Sequence, residues 1–327
     1  MLASGPPRPH LRIHIKPLAF AAMRYVVTGA AGFIGSHLLR ALLARGADAV
    51  GWDAYTDYYD PALKEENARG LPVERLDVVE DPLDLAGVDG VFHLAGQPGV
   101  RSFGDVFSVY VRQNLLASRR LFEAAAAAGV RVVFTSSSSI YGDAEAYPTP
   151  EDTLPRPISP YGVTKLGCEH LADAYRREFG LDVVTLRYFT IYGPRQRPDM
   201  AFTKMVGALA EGHPFELYGD GRQSRSFTYV DDAVEATILA MERGPSGSAL
   251  NVGGGTEVSM LEAIETLGRI AGRRLEVVRL PRSKGDAART AADTTRIRAE
   301  LGWEPRTPFE EGLAAQWRWA ADRVAAA

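Results

Sequence analysis

One cysteine, Cys168, stands among 327 residues. That excludes an intramolecular disulfide and any metal site built from several cysteines. Long apolar runs are missing too: no stretch approaches the roughly 18 uninterrupted apolar residues of a membrane span. Neither sign of charge dominates, since 37 Lys and Arg against 41 Asp and Glu leave a formal charge of −4. Such a balance gives no electrostatic reason to bind nucleic acid or an anionic membrane. His93 has no second ligand at metal spacing, so no metal is expected. What remains is an ordinary globular composition, 46% hydrophobic, in a length that fits one large domain or two small ones. The expectation is a soluble, cytoplasmic enzyme or binding protein.

Residues 1–22 differ from the rest. They carry three prolines among the first nine residues, several basic residues and no clear period. They lack the long apolar core and small-residue cleavage site of a signal peptide. A disordered extension is expected, with Met23 the natural start because the first strand follows at once.

From Arg24 the pattern alternates. Strands are expected at Arg24–Thr28, Asp48–Asp53, Val73–Asp77, Gly90–Ala95, Arg131–Ser136 and Leu181–Tyr188. Helices are expected at Phe33–Ala44, Asp105–Ala128 and Tyr161–Phe179. Alternation of this kind gives an α/β, doubly wound parallel sheet covered on both faces. After Phe189, loops rich in Gly, Pro and Arg separate shorter elements: strands near Phe215–Tyr218 and Gln223–Thr228, helices near Phe202–Ala210, Asp231–Arg243, Ser259–Ala271 and Phe309–Val324. The expected division is a cofactor domain at 23–189, rejoined by 230–253, and a smaller interleaved lobe at 190–229 and 254–327.

Thr28-Gly29-Ala30-Ala31-Gly32-Phe33-Ile34-Gly35 lies between a strand and a helix. Gly29 suits the tight turn, Gly32 lets the backbone approach a pyrophosphate, and Gly35 lets the helix pack on the strand. The helix start then offers free N–H groups to phosphates. Asp53 closes the second strand about 20 residues on, where an acidic residue binds the ribose hydroxyls of NAD and repels the 2′-phosphate of NADP. Asp77 could accept from the adenine amino group or simply cap its loop. The small residues of Leu94-Ala95-Gly96-Gln97 leave room for the ribose and pyrophosphate.

Tyr161 and Lys165 stand four apart, on one face of a helix. A tyrosine is a weak base unless a neighbouring positive charge favours its phenolate. With that help it can take a proton from a sugar hydroxyl while the carbon beneath gives a hydride to NAD. Ser136-Ser137-Ser138-Ser139 ends the fifth strand, where a serine can bond the same oxygen. Cys168, three residues past Lys165, is expected to pack rather than react.

Together the runs VTGAAGFIGSHL (27–38), HLAGQPGVR (93–101), SSSSIYG (136–142), SPYGVTK (159–165), LRYFTIYGPRQRPDM (186–200), RSFTYVDD (225–232) and GDAARTAAD (285–293) resemble the extended short-chain dehydrogenase/reductases of the NAD-dependent sugar-nucleotide epimerase/dehydratase family. The resemblance spans about Arg24 to Trp317. It implies a Rossmann fold, bound NAD and a UDP-sugar substrate. It implies that Tyr161 is the base, that Lys165 tunes it and binds the nicotinamide ribose, and that Ser137 binds the sugar oxygen. The cofactor would touch Gly29, Gly32, Phe33, Ile34, Gly35, Asp53, Asp77, Val78, Leu94, Ala95, Gly96, Gln97, Asn114, Ser136, Tyr161, Lys165 and Tyr188. Arg101 and Arg225 would meet the substrate, Arg225 at its diphosphate, and Asp286 the nucleotide ribose. Family members often dimerise through two helices per subunit, here Asp105–Ala128 and Tyr161–Phe179, so a homodimer is expected.

Dehydratases of this family carry an acidic pair just after the catalytic serine, and decarboxylases a Glu. This chain has Ser138 and Ser139, which favours simple epimerisation at C4. The run Arg187–Met200 and the segment Asp57–Lys64 are similar to the UDP-glucuronate 4-epimerase subgroup. In that reading Arg197 grips the C6 carboxylate as a charge-assisted fork, completed by Thr190 and Ser138. A UDP-hexose 4-epimerase, a decarboxylase or 4,6-dehydratase, and a catalytically silent NAD sensor are the alternatives. Intact Tyr161, Lys165 and Ser137 count against the last.

Overall fold

The computed structural model describes residues 23–100, 102–281 and 289–326. The extension expected at 1–22 lies outside these residues, as do Arg101 and Asp286. Seven strands form the main sheet: β1 (Arg24–Thr28), β2 (Asp48–Asp53), β3 (Val73–Arg75), β4 (Gly90–His93), β5 (Arg131–Ser137), β6 (Val183–Tyr188) and β10 (Ala249–Val252). Their order is β10-β6-β5-β4-β1-β2-β3, and every neighbouring pair is parallel. The order reverses between β1 and β4, and that switch point opens a crevice at the carboxyl ends of the strands.

Alternating side chains build a core on each face. Tyr25 and Val27 of β1 pack with Leu38, Leu39 and Leu42 of α1 (Phe33–Ala44) and with Ala233 and Ile238 of α7 (Val230–Arg243). Val26, between them, packs on the other face with Leu121 and Phe122 of α4 (Ala117–Ala128) and with Cys168 and Ala172 of α5 (Pro160–Phe179). Cys168 is fully buried there, as expected. Removing any one of the fully buried leucines of α1 would cost about 2–5 kcal/mol. Helix α7 covers one face of the sheet, and β10 pairs with β6 at its edge.

The remaining elements form a second layer of short strands and helices. These are β7 (Thr190–Tyr192), α6 (Ala201–Glu211), β8 (Phe215–Tyr218), β9 (Ser224–Tyr229), β11 (Glu257–Ser259), α8 (Met260–Ala271), β12 (Val277–Leu280), β13 (Arg289–Thr290) and α10 (Phe309–Ala326), whereas α9 (Thr295–Leu301) packs Ile297 and Leu301 into the main-sheet core beside α7. Strand β9 pairs with β7, β11 and β13, and β8 pairs with β12. Most of these elements enclose an aromatic core in which Phe202 and Phe227 meet at 4.5 Å between ring centroids and Tyr192 and Phe309 close around them.

The helix expected over 105–128 is helical throughout but not uniform. α3 (Phe107–Tyr110) runs into a π-helical segment, Val111–Leu116, before α4 resumes. The buried residue of that segment is Asn114. π-Turns inside α-helices often mark functional sites, and this one lies behind the crevice.

Candidate active site

A cleft of about 670 Å³ opens at the carboxyl ends of the sheet strands, between the sheet and the second layer. Its wall at one end is the turn from β1 to α1. Gly29 has φ of 71°, and a Cβ there would stand 2.9 Å from the backbone N of Ala95. A Cβ on Gly35 would overlap the carbonyl oxygen of Gly29. Gly32, the capping position before helix α1, offers no side-chain cap, and the first turn of the helix holds no acidic residue. Its first N–H groups and positive dipole end therefore face the cleft for an anionic ligand. Gly35→Ala should lower NAD affinity by about tenfold or more, because its methyl pushes helix and turn apart. Titration with NAD checks this, and unchanged affinity would refute it.

Asp53 ends β2 on the same wall and is buried. It accepts from the N–H of Ala31 at 2.9 Å and of Tyr55 at 2.8 Å, which fixes the carboxylate against the glycine turn. Asp77 lines the cleft too. One of its oxygens caps the N–H of Val79 at 2.8 Å and the other pairs with Arg112 at 3.0 Å, so the loop-capping role weighed for it is present. Phe33, Ile34, Val78, Leu94, Ala95, Gly96 and Gln97 complete this end. His93 lies beneath: its ring bonds Thr28 at 2.8 Å and Ser118 at 3.1 Å. Burial, aided by Lys165, pushes His93 down to about 3, so it stays neutral, a hydrogen-bonded strand residue.

The centre of the cleft holds Tyr161, Lys165 and Ser137. Ser159 caps α5 by accepting from the N–H of Gly162 at 3.1 Å, and Pro160 opens its first turn. That start places Tyr161 at the cleft, half-buried, with Lys165 one turn deeper and buried. The Lys165 ammonium donates to the Thr135 carbonyl at 2.8 Å and lies 5.0 Å over the Phe134 ring. Ser137, the last residue of β5, donates to Ser139 Oγ at 3.1 Å. Ser136 lines the cleft, but its hydroxyl donates to Glu169 at 2.5 Å. Tyr188 likewise lines the cleft while its hydroxyl bonds Thr237 at 2.5 Å. Asn114 is not among the residues lining the cleft. Its amide bonds both the N–H and the carbonyl of Gln97 and the Thr164 hydroxyl, which ties the loop after β4 to α5.

The other end gathers Ser138, Ser139, Thr190, Arg197 and Arg225. Arg225 donates to the Ser224 carbonyl at 2.8 Å. The expected roles of Arg101 and Asp286 fall outside the described residues. Two residues here carried no role in the sequence reading. Asp199 pairs with Arg197 through two bonds, at 3.0 and 3.1 Å, and Tyr58 donates to Asp199 at 3.2 Å across the cleft. The spacing of Arg197 and Asp199 in the run quoted above is the available signal; Tyr58 lies in the quoted segment Asp57–Lys64, but nothing local ties it to Asp199, 141 positions away. Burial opposes charge on both members of the pair. Each outweighs it for the other, so Arg197 is raised and Asp199 lowered from their ordinary values.

A glycine turn against an uncapped helix, an acidic strand end and a Tyr–Lys helix around one cleft define a dinucleotide-dependent enzyme of the Rossmann class. A family model described as "NAD dependent epimerase/dehydratase family" matches residues 25–253, and the chain belongs to that family. A probable UDP-glucuronate 4-epimerase of Rhizobium meliloti is 35% identical over 329 residues, covering 91% of this chain and 96% of its own. A UDP-glucose 4-epimerase of Mycolicibacterium smegmatis is 37% identical over 304 residues, covering 89% and 96%. The crystal structure of a UDP-glucuronic acid 4-epimerase from Bacillus cereus, in complex with UDP-glucuronic acid and NAD, superposes with a TM-score of 0.89 at 38% identity. That match covers 92% of this chain and all of the other.

Proposed function

We propose that this chain is a UDP-glucuronate 4-epimerase, interconverting UDP-glucuronate and UDP-galacturonate with bound NAD. The observation that carries the substrate is Arg197, half-buried on the cleft wall and lining it together with Thr190, Ser138 and Ser139. A guanidinium so placed is matched to a carboxylate. In this reading the chain divides into a cofactor domain, 23–189 with 230–253, and a sugar domain from 190–229 and 254–327.

NAD, which Gly29, Gly32, Gly35 and Asp53 would hold at the glycine end, would supply the hydride acceptor and donor for C4. The chain's own part is proton transfer and positioning. Tyr161 takes the proton from O4 as C4 is oxidised and gives it back as C4 is reduced. Lys165 is anchored by the Thr135 carbonyl and keeps a positive charge near that tyrosine. Ser137 bonds the reacting oxygen. No carboxylate stands at 138 or 139 to protonate a departing hydroxyl. Among the described cleft residues the carboxylates are Asp53 and Asp77 near the cofactor end, Asp199, paired with Arg197, and Glu216 on β8.

A glucuronate oxidised at C4 is a β-keto acid. It loses CO2 when the bond to the carboxylate stands perpendicular to the plane of the ring carbonyl. Arg197 holds the carboxylate away from that alignment. Incubation with UDP-glucuronate and NMR of the products tests the proposal: UDP-galacturonate alone is expected, whereas a UDP-pentose with CO2, or turnover confined to UDP-glucose, would overturn it. Arg197→Ala should lower kcat/KM on UDP-glucuronate by about 10–100-fold, the worth of a hydrogen bond to a charged group. UDP-glucose turnover should change far less. Equal losses on both would sink the assignment.

We also infer a cytoplasmic homodimer. Among the described residues, no helix is long and apolar enough to cross a membrane. Phe107, Val109 and Leu116 along 107–116 and Val163 on α5 are all exposed. Covering them between two subunits supports pairing through these helices. A monomeric mass at micromolar concentration would refute it.

A further inference from the structure

We infer that Asp199 is a positioning residue for sugar specificity: it holds Arg197 by the side edge so that the adjoining end edge of the guanidinium meets the substrate carboxylate. The inference rests on the reading of Arg197 given above.

An arginine side chain has five N–H donors in a planar fork. Asp199 takes two of them, one on Nε and one on Nη2. Those two lie on the side edge of the plane. Three donors remain, and two of these form a second parallel pair on the end edge, Nη1 and Nη2. The Arg197 guanidinium makes no other hydrogen bond to a described residue, and Arg197 lines the cleft. A bidentate partner on one edge fixes the plane as well as the position of the group. Asp199 is itself held from across the cleft, where Tyr58, in the loop after β2, donates to Oδ2 at 3.2 Å. Burial, reinforced by Asp199, pushes Tyr58 up to about 12, so the phenol stays a donor. The guanidinium is thereby clamped between the cofactor side and the sugar side of the cleft.

The electrostatic effect of Asp199 has the opposite sign to its positioning effect. A carboxylate beside an anionic sugar repels it, so removing the charge alone would favour UDP-glucuronate. A freely turning arginine would instead spend most of its time out of alignment, which lowers turnover of the charged sugar and leaves UDP-glucose nearly untouched. A misaligned carboxylate also reaches the perpendicular geometry from which CO2 leaves. The sign of the specificity change therefore separates the two effects.

The test is Asp199→Asn, which keeps the shape but replaces one acceptor by an amide NH2 that cannot accept from the fork. The wild type is assayed first on UDP-glucuronate and UDP-glucose. If it does not epimerise UDP-glucuronate, the proposed function itself fails, and that is read before any variant is made. Given wild-type activity, Asp199→Asn is expected to lower the ratio of kcat/KM for UDP-glucuronate over UDP-glucose by about tenfold and to raise the fraction of turnovers that release CO2. In an Arg197→Ala background the same change should no longer lower the ratio, since the lowering passes through Arg197 and only the relief of charge repulsion is left. In the single variant a rise in the ratio or an equal fall on both sugars, or in the double variant an undiminished fall in the ratio, would overturn the inference.

Discussion

Tyr161→Phe is expected to lower kcat by about 10²–10⁴-fold, the usual worth of a positioned general acid–base group. That range corresponds to roughly 2.7–5.5 kcal/mol of barrier. No neighbour can replace the lost hydroxyl. The Lys165 ammonium donates to the Thr135 carbonyl, the Tyr58 hydroxyl to Asp199 and the Tyr110 hydroxyl to the Gly99 carbonyl. Tyr110 is the nearest aromatic, its ring centroid 6.3 Å from that of Tyr161. Ser137 and Ser139 bond each other, and a serine hydroxyl is no base without a partner to take its proton. The substitution should spare the fold, because the Tyr161 side chain is half-buried and no described residue shares a hydrogen bond with its hydroxyl. Thermal stability and NAD content of the purified variant should match the wild type while epimerisation, followed by NMR, collapses. A variant that keeps more than about a tenth of the activity would show that another group moves the O4 proton.

The parts of the site legible beforehand are those set by local chemistry. Gly29 and Gly35 announce a turn that no Cβ permits, and their surroundings bear this out. Strands β1, β4 and β5 alternate or run continuously apolar because both faces are covered, so their period and position were readable. The less legible parts depend on distant partners or on too few residues. Strands β7 and β13 have three and two residues, too short for any period to show. Helix α2 (Pro61–Ala68) is mostly polar, and its local signal is confined to its start, where Asp60 caps it and Pro61 opens it. The π-helical segment keeps the helical pattern of apolar residues, so 105–128 read as one helix. The family resemblance implies cofactor contacts for Ser136, Tyr188 and Asn114. Their polar atoms in fact bond Glu169, Thr237 and, for Asn114, Gln97 and Thr164. Position along a strand or helix gives the neighbourhood of a side chain; the direction of its polar atoms is decided by partners tens of residues away.

Arg187→Met should destabilise the fold by about 3–5 kcal/mol, the cost of leaving one member of a buried ion pair alone. Arg187 and Glu169 meet at 2.8 Å, with side chains 9% and 10% exposed. The pair anchors a wider network. Arg187 also donates to Tyr141 and to the Glu151 carbonyl, Tyr141 donates to Asn251, and the Asn251 N–H donates to the Glu151 side chain. Burial opposes the charge on Arg187, and Glu169 outweighs it, holding the guanidinium charged. Remove the arginine and the Glu169 carboxylate keeps only Ser136 as a donor among the described residues, in a region water does not reach freely. Glu169 lies one turn beyond Lys165 on α5, and Arg187 sits beside Tyr188 at the end of β6, so the loss also loosens the helix that carries Tyr161. The double change Arg187→Met with Glu169→Leu removes both charges and should cost less than Arg187→Met alone, since no unpaired charge is left behind. Urea unfolding of the two single variants and the double variant measures this directly. A double variant that loses as much as the sum of the singles would mean that each residue acts through separate contacts rather than through their shared charge.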